Sequence, residues 1–137
     1  MKDFTDFCTS LRDACRMLET VEATLPAFSL TNTDVTLSAL GSAYQALSLM
    51  QSGGRLVSNA KCLHFMFPEV CLPMDRRNTL TKLYGNTNES SGKFCEVLQF
   101  AYAAAGRAQA WEKHVDDEWN TGAMKMVDNA IILLPAG

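Results

Sequence analysis

The sequence predicts an all-α protein, a single domain over residues 1–137 with five or six helices packed around one core. Three observations support this fold class. Apolar residues recur at spacings of three and four along successive segments, which is the period of an amphipathic helix. Clusters of glycine, proline and polar residues separate these segments. The chain has 137 residues, 47% of them apolar and 20% charged, a balance typical of one globular domain and not of a disordered chain.

The first two helices are predicted over about residues 3–24 and 33–51. Asp3 is a suitable N-cap for the first helix, and Thr33 or Asn32 for the second. The apolar residues of the first helix form one stripe, and they are Phe4, Phe7, Cys8, Leu11, Cys15 and Leu18. Small residues between the leucines of the second helix would let another helix approach closely.

The third and fourth helices lie between two glycine turns. The Gly53-Gly54 turn is predicted to end the second helix with a left-handed cap. A short helix over about residues 58–67 follows, and its apolar density predicts that it is the central, most buried helix. Pro68 stops it, Pro73 suits the first turn of the fourth helix, and Gly85 ends that helix.

The last two helices follow a polar loop. A long helix is predicted over about residues 92–118. Asn120 or Thr121 would then cap a final helix. The apolar run at residues 130–134 is also compatible with a terminal strand, but its spacing with the preceding residues favours a helix.

Charge and cysteine content exclude several classes of protein. The net charge is -3 and the isoelectric point about 5.3, so the chain is no strongly basic nucleic-acid binder, although a local basic patch is compatible with it. The five cysteines are odd in number and contain no Cys-x-x-Cys pair, which predicts neither a disulfide framework nor a zinc site. We expect most of them to be small core residues in a reducing, cytoplasmic compartment.

The sequence contains no targeting or membrane signal that we recognise. The N-terminus carries acidic residues and no continuous apolar core, unlike a signal peptide. No apolar run approaches the roughly 20 residues that span a bilayer. We therefore expect a soluble protein with no membrane partner.

One segment resembles part of a known enzyme family. From Gly54 the chain reads GRLVSNAKCLHFMFPEVCLPMDRRNT, which combines a Gly-rich turn, a short apolar helix, a loop and a Pro-x-Asp tripeptide. It is similar to the segment after the hairpin in helix-hairpin-helix DNA glycosylases. The resemblance implies that the turn grips a DNA backbone and that Asp75 is the acid/base carboxylate that assists base departure. The position of the nucleophilic lysine of bifunctional members holds Ser58 or Asn59 here, and the iron–sulfur cysteines are absent.

A second resemblance covers more of the chain. Two blocks carry it, the first formed by SNAKCLHFMFPEV and PMDRRNT and the second by NTGAMKMVDNAII. They are similar to two blocks of a group of small, uncharacterised microbial helical proteins. That group has no established activity, so this resemblance implies a fold and supplies no chemistry.

The candidate site residues also have structural explanations. A carboxylate such as Asp75 at a helix start is stabilised by the helix dipole without any catalytic role. His64, on the apolar helix, would titrate near neutral pH or ligate a metal if functional; as a core residue it would bond a backbone carbonyl or form a polar core pair with Asp75. The candidates for binding nucleic acid or phosphate are Gly53, Gly54, Arg55, Lys61, Arg76 and Arg77.

An acidic run near the C-terminus is a weak metal candidate. Glu112 and Asp116, and likewise His114 and Glu118, are spaced one helical turn apart. Two usable ligands are too few for a metal site, so a solvated helix face is the preferred interpretation. No phosphate-binding loop, dinucleotide fingerprint or catalytic triad order is present, and we expect neither a metal nor a cofactor.

Two functional hypotheses follow. The first is a small cytoplasmic helical protein that acts as a non-enzymatic interaction module, with a homodimer as the expected assembly. The alternative is a nucleic-acid-associated protein related to helix-hairpin-helix DNA glycosylases, with Asp75 as its acid/base residue; whether the chain is an enzyme stays open. Basic residues that converge around the Gly53-Gly54 turn would favour nucleic acid, and scattered ones would favour the module.

Overall fold

A computed structural model describes residues 2–51, 53–108 and 111–135. Within these ranges the chain is helical, without a β-strand apart from one isolated bridge between Ser29 and Asn32. The predicted all-α fold is therefore confirmed. The helices are α1 (Phe4–Thr24), α2 (Asp34–Ala46), α3 (Leu56–Met66), α4 (Thr81–Tyr84), α5 (Ser91–Arg107) and α6 (Ala123–Leu133).

Helices α1 and α2 pack against each other in antiparallel orientation, and a short connection joins them. The predicted cap of α1 is confirmed, because Asp3 Oδ1 accepts a hydrogen bond of 2.9 Å from the Asp6 amide. The face that α1 buries includes Ala14, Leu18 and Val21, and it shares only Leu18 with the predicted stripe. Phe4 is 81% exposed and Cys15 is exposed, because the helix meets the core through small residues such as Ala14. The matching face of α2 buries Leu37, Ala39, Leu40, Ala43 and Tyr44.

Helix α2 ends earlier than predicted. Its last residue is Ala46, and Leu47 is already extended with ψ 133°. The Ser48 amide donates to Ser10 Oγ of α1 at 2.8 Å, so it does not continue the helical ladder. Leu47 and Leu49 are buried from this extended segment. A bond to a distant element therefore ends α2, and the Gly53-Gly54 turn does not.

Helix α3 is not the most buried helix, contrary to the prediction. It begins at Leu56 and buries one face only, formed by Leu56, Asn59, Ala60 and Leu63. Phe65 is 88% exposed and Met66 42% exposed. Consecutive apolar residues point around the whole circumference of a helix, so apolar density alone did not establish burial.

Helix α5 is the central helix instead, since it contacts α2, α3 and α6. Phe94, Leu98 and Ala101 are fully buried on it. The Tyr44 ring of α2 stacks on Phe94 with centroids 4.4 Å apart, and the Tyr102 hydroxyl donates to the Val70 carbonyl at 2.5 Å. These contacts tie α5 to the helices and loops around it.

The fourth helix starts later than predicted and ends at the predicted residue. A π-helical turn, Arg76–Leu80, precedes α4, with Asp75 as its N-cap. Pro73 therefore lies before the helix and not in its first turn. Gly85 ends α4 with φ +66°, the left-handed conformation that favours glycine.

The C-terminal region corrects the predicted long helix. α5 ends at Arg107 and a 3-10 turn, Trp111–His114, follows the gap in the described residues. Asp116 Oδ1 then accepts three backbone hydrogen bonds, so the chain turns there. α6 is a helix and not a strand, as favoured, but its N-cap is Gly122 instead of Asn120 or Thr121.

The cysteines are less buried than predicted. Cys71 is the buried one, Cys15 is exposed, and the other three are half-buried. All five are free thiols. Among the described residues, no helix combines the length and the apolar character that a membrane crossing requires.

Candidate functional site

Asp75 is fully engaged in capping the turn that follows it. Oδ1 accepts from the Asn78 amide at 2.6 Å, and Oδ2 accepts from Asn78 Nδ2 at 3.0 Å. The Asp75 amide in turn donates to Thr79 Oγ1 at 3.0 Å. This reciprocal pair of bonds satisfies donors that a helix start leaves free. The contacts explain the carboxylate without a catalytic role.

His64 and Asp75 have different hydrogen-bond partners. His64 Nδ1 lies 2.6 Å from the carbonyl oxygen of Cys71. Because a carbonyl only accepts, Nδ1 carries the proton in this bond. Of the two structural interpretations of His64, a bond to a backbone carbonyl and a pair with Asp75, the structure has the first. Among the described residues, no hydrogen bond joins His64 to Asp75, so the predicted polar pair does not form.

The N-terminus of α3 is occupied by a carboxylate of the chain itself. Glu89 Oε2 accepts from the Leu56 amide at 2.7 Å. Glu89 Oε1 lies 2.6 Å from Arg76 Nε and 2.5 Å from its Nη2. The Glu89 side chain is only 8% exposed. The place where the glycosylase resemblance would put a DNA phosphate therefore holds an internal anion.

Gly54 lies beside this ion pair. A Cβ built at Gly54 would lie 3.3 Å from Arg76 Nη2 and 3.4 Å from Glu89 Cδ. The first distance is slightly shorter than ordinary van der Waals contact, and the second is at its lower limit. A larger residue here would therefore shift the ion pair by a few tenths of an ångström.

Four of the six predicted phosphate-binding residues lie around Glu89. Gly54 and Arg76 are next to it, and Gly53 and Arg55 line a polar cavity that Glu89 also lines. Arg77 lines a different cavity with Lys82 and Ile132. Lys61 is exposed on α3.

The acidic run forms a turn and not a continuous helix face. Asp116 accepts from the amides of Glu118, Trp119 and Asn120, at 2.9, 2.5 and 3.0 Å. These bonds lower the pKa of the Asp116 carboxyl to about 2, with those from Asn120 and Trp119 contributing most. The predicted helical spacing with Glu112 is therefore lost. In the described part of the chain, no three His, Cys, Asp or Glu side chains are placed to hold a metal.

An apolar groove of about 240 Å³ lies between α5 and α6. Almost all of its lining is apolar. Small side chains on the facing helices, such as Ala104 and Ala130, leave the space, and large ones form its walls. The larger lining residues are Phe100, Trp111, Met126, Val127, Ile131 and Leu134.

The rim of this groove is exposed. Phe100 is 46% exposed and Leu134 is 40% exposed. Leu133, one turn after Ala130, is 84% exposed. Phe100 and Ala104 are four residues apart on a face of α5 beside its core stripe, and this second apolar stripe is the sequence signal of the groove. The stripe was not recognised from the sequence because alanine is also common inside protein cores.

Comparison with known proteins gives no match: no protein-family model, curated protein or solved structure is similar to this chain. The two sequence resemblances therefore rest on their quoted residues.

Proposed function

We propose that the chain is a non-enzymatic interaction module and that the α5–α6 groove is its interaction surface. The observation that carries this proposal is the apolar lining of the groove, together with the exposed apolar side chains on its rim. Covering apolar surface stabilises an association by roughly 25 cal/mol per Å². Exposed apolar patches rimmed by polar residues are typical of interaction sites.

The proposed partner is a second copy of this chain. A twofold interface uses the same patch on both subunits, so the patch must be self-complementary. Here the groove includes the exposed side chains of Phe100 and Leu134, so each copy offers both a recess and apolar side chains to cover it. The chain exposes 8033 Å², and a standard interface of roughly 800 Å² per partner would cover about a tenth of it.

The contacts of Asp75 and Arg76 support the module over the nucleic-acid alternative. Arg76 is paired with Glu89, and both oxygens of Asp75 accept capping bonds. A glycosylase-like protein with Asp75 as acid/base residue would need both arrangements to open. The net charge of -3 also disfavours a polyanion. The five free thiols fit the proposed cytoplasmic location.

Sedimentation equilibrium over a series of concentrations tests the proposal. We expect a dimer mass for the natural sequence. Phe100→Glu should weaken the dimer at least tenfold, because Phe100 lines the groove and burying a phenylalanine side chain contributes roughly 1.5–3 kcal/mol. Phe65→Glu is the matched control, since Phe65 is 88% exposed but does not line the groove, and it should leave the dimer intact.

A monomer mass at every concentration would refute the second-copy proposal. Equal weakening by Phe100→Glu and Phe65→Glu would place the interface away from the groove. Fluorescence anisotropy with duplexes, intact and carrying an abasic-site analogue, tests the alternative. Tight binding with a steep salt dependence would favour nucleic acid.

A further inference from the structure

The α5–α6 groove has two distinct ends because its helices run in opposite directions. Trp111, which follows α5, and Ala123, which begins α6, line the groove and also line one neighbouring cavity together. Leu134 follows Ala123 by eleven residues along α6, which is about 16 Å at the rise of an α-helix. The Trp111 end and the Leu134 end of the groove are therefore well separated.

The Trp111 end is acidic. A cavity of about 580 Å³ adjoins it, with Trp111 as a shared wall. Glu69 and Glu112 line this cavity, and its described lining includes no basic residue. The exposed segment 112–118 contains four acidic residues and one lysine, which outweighs the positive charge of Arg107 at the end of α5.

The Leu134 end is basic. Lys82 Nζ donates to the Leu134 carbonyl. Lys82 and Arg77 also line a cavity of about 450 Å³ beside Ile132, and no acidic residue is among its described lining. Arg77 forms no salt bridge with any residue that the structure describes, so its charge is available to a partner.

The other charges between these ends cancel locally. Lys125 and Asp128 on α6 form an ion pair of 2.6 Å. Lys93 and Glu96 on α5 lie three residues apart and have opposite charges. The groove is therefore an apolar strip with an acidic end and a basic end.

We propose that two copies of the chain associate with their grooves antiparallel, so that the acidic end of each copy meets the basic end of the other. This inference rests on the proposed function of the groove as a dimer interface. A twofold axis perpendicular to the groove exchanges its ends, so the interface contains the acidic–basic contact twice. A parallel arrangement would bring like charges together, which is unfavourable. Arg77 and Glu112 thus determine the orientation of the two copies.

Sedimentation equilibrium of Arg77→Glu and Glu112→Arg tests the orientation, with circular dichroism to verify the fold of each variant. We expect each change to weaken the dimer about fivefold or more, because a contact that occurs twice becomes repulsive. Glu112→Arg reduces the net charge from -3 to -1, so relief of general repulsion alone would strengthen the dimer. Arg16→Glu, at an exposed position of α1, is the matched control for Arg77→Glu and should leave the dimer intact.

Combining the two charge reversals provides a rescue. In the antiparallel arrangement, an equimolar mixture of the Arg77→Glu and Glu112→Arg chains forms a heterodimer in which both end contacts are again attractive. The double variant restores the same contacts in a homodimer. We expect both to recover the natural affinity to within about twofold, because reversing both charges of a pair keeps their attraction. Added salt should weaken the natural dimer, since it screens exposed charges.

The results separate a wrong orientation from a wrong function. If neither single reversal changes the dimer while Phe100→Glu still disrupts it, the groove interface stands and the antiparallel arrangement is overturned. A dimer that becomes tighter with added salt would also overturn it, because that is the behaviour of like charges in contact. Equal weakening by Arg16→Glu and Arg77→Glu would assign the effect to net charge. A natural protein that stays monomeric at every concentration would refute the proposed function and this inference with it.

Discussion

Asn59 holds the end of α2 from inside the core. It is fully buried on α3, and its side-chain amide donates to the carbonyls of Tyr44 and Leu47, each at 3.0 Å. In a continuing helix the Ser48 amide would donate to the Tyr44 carbonyl, but it bonds Ser10 Oγ instead. Asn59 is therefore the donor that replaces the missing helical bond.

Replacing Asn59 with leucine removes both donors and keeps a side chain that branches at the same carbon. A buried carbonyl left without a partner costs about 1–3 kcal/mol, so two such groups cost about 2–6 kcal/mol of unfolding free energy. This is a large fraction of the roughly 5–15 kcal/mol by which a domain is stable. Urea unfolding followed by circular dichroism measures the loss as a lower midpoint at unchanged slope.

The exposed Lys61 on the same helix provides the control for Asn59→Leu. Lys61→Ala should change the unfolding free energy by no more than about 0.5 kcal/mol, as is usual for surface positions. If Asn59→Leu costs less than about 1 kcal/mol, the two carbonyls do not depend on Asn59. The reasoning about how α2 ends would then be refuted.

Two further predictions concern the capping carboxylates. Asp75→Ala should lower the unfolding free energy by about 0.5–2 kcal/mol while Asp75→Asn retains most of it, because asparagine also caps helices; urea unfolding checks both, and equal losses would contradict a capping role. The Asp116 carboxyl should titrate near pH 2 in an NMR titration, against an ordinary value of 3.8. Since its folded pKa is lowered, its stabilising contribution is complete above the unfolded pKa and is lost as the pH falls from about 4 toward 2; a midpoint near 3.8 would show that the Asp116 turn is open.

The sequence predicted best the elements whose geometry depends on neighbours along the chain. The Asp3 cap of α1 and the Gly85 end of α4 are local patterns, and the structure has them where expected. The end of α2 depends on Ser10 and Asn59, which are far from it in sequence. Periodicity carries no information about such distant donors, so the predicted helix ran too far.

The sites show the same division between local and distant information. The capping role of Asp75 follows from its place at a helix start. That Asp75 bonds Asn78, while His64 bonds the Cys71 carbonyl, depends on the tertiary fold. The pairing of Arg76 with Glu89 spans 13 positions across a turn and a polar loop. The α5–α6 groove depends on small residues meeting across two helices. Each of these pairings is set by tertiary packing.

Asp75 and Arg76 together show how a catalytic-looking motif can serve as a structural joint. Asp75 caps the turn that follows it, and Arg76 holds Glu89 against the first amide of α3. Glu89 directly precedes the N-cap of α5. The joint thus fixes the starts of α3 and α5 relative to each other with an anion that the chain supplies. An external phosphate cannot occupy the α3 position without displacing Glu89.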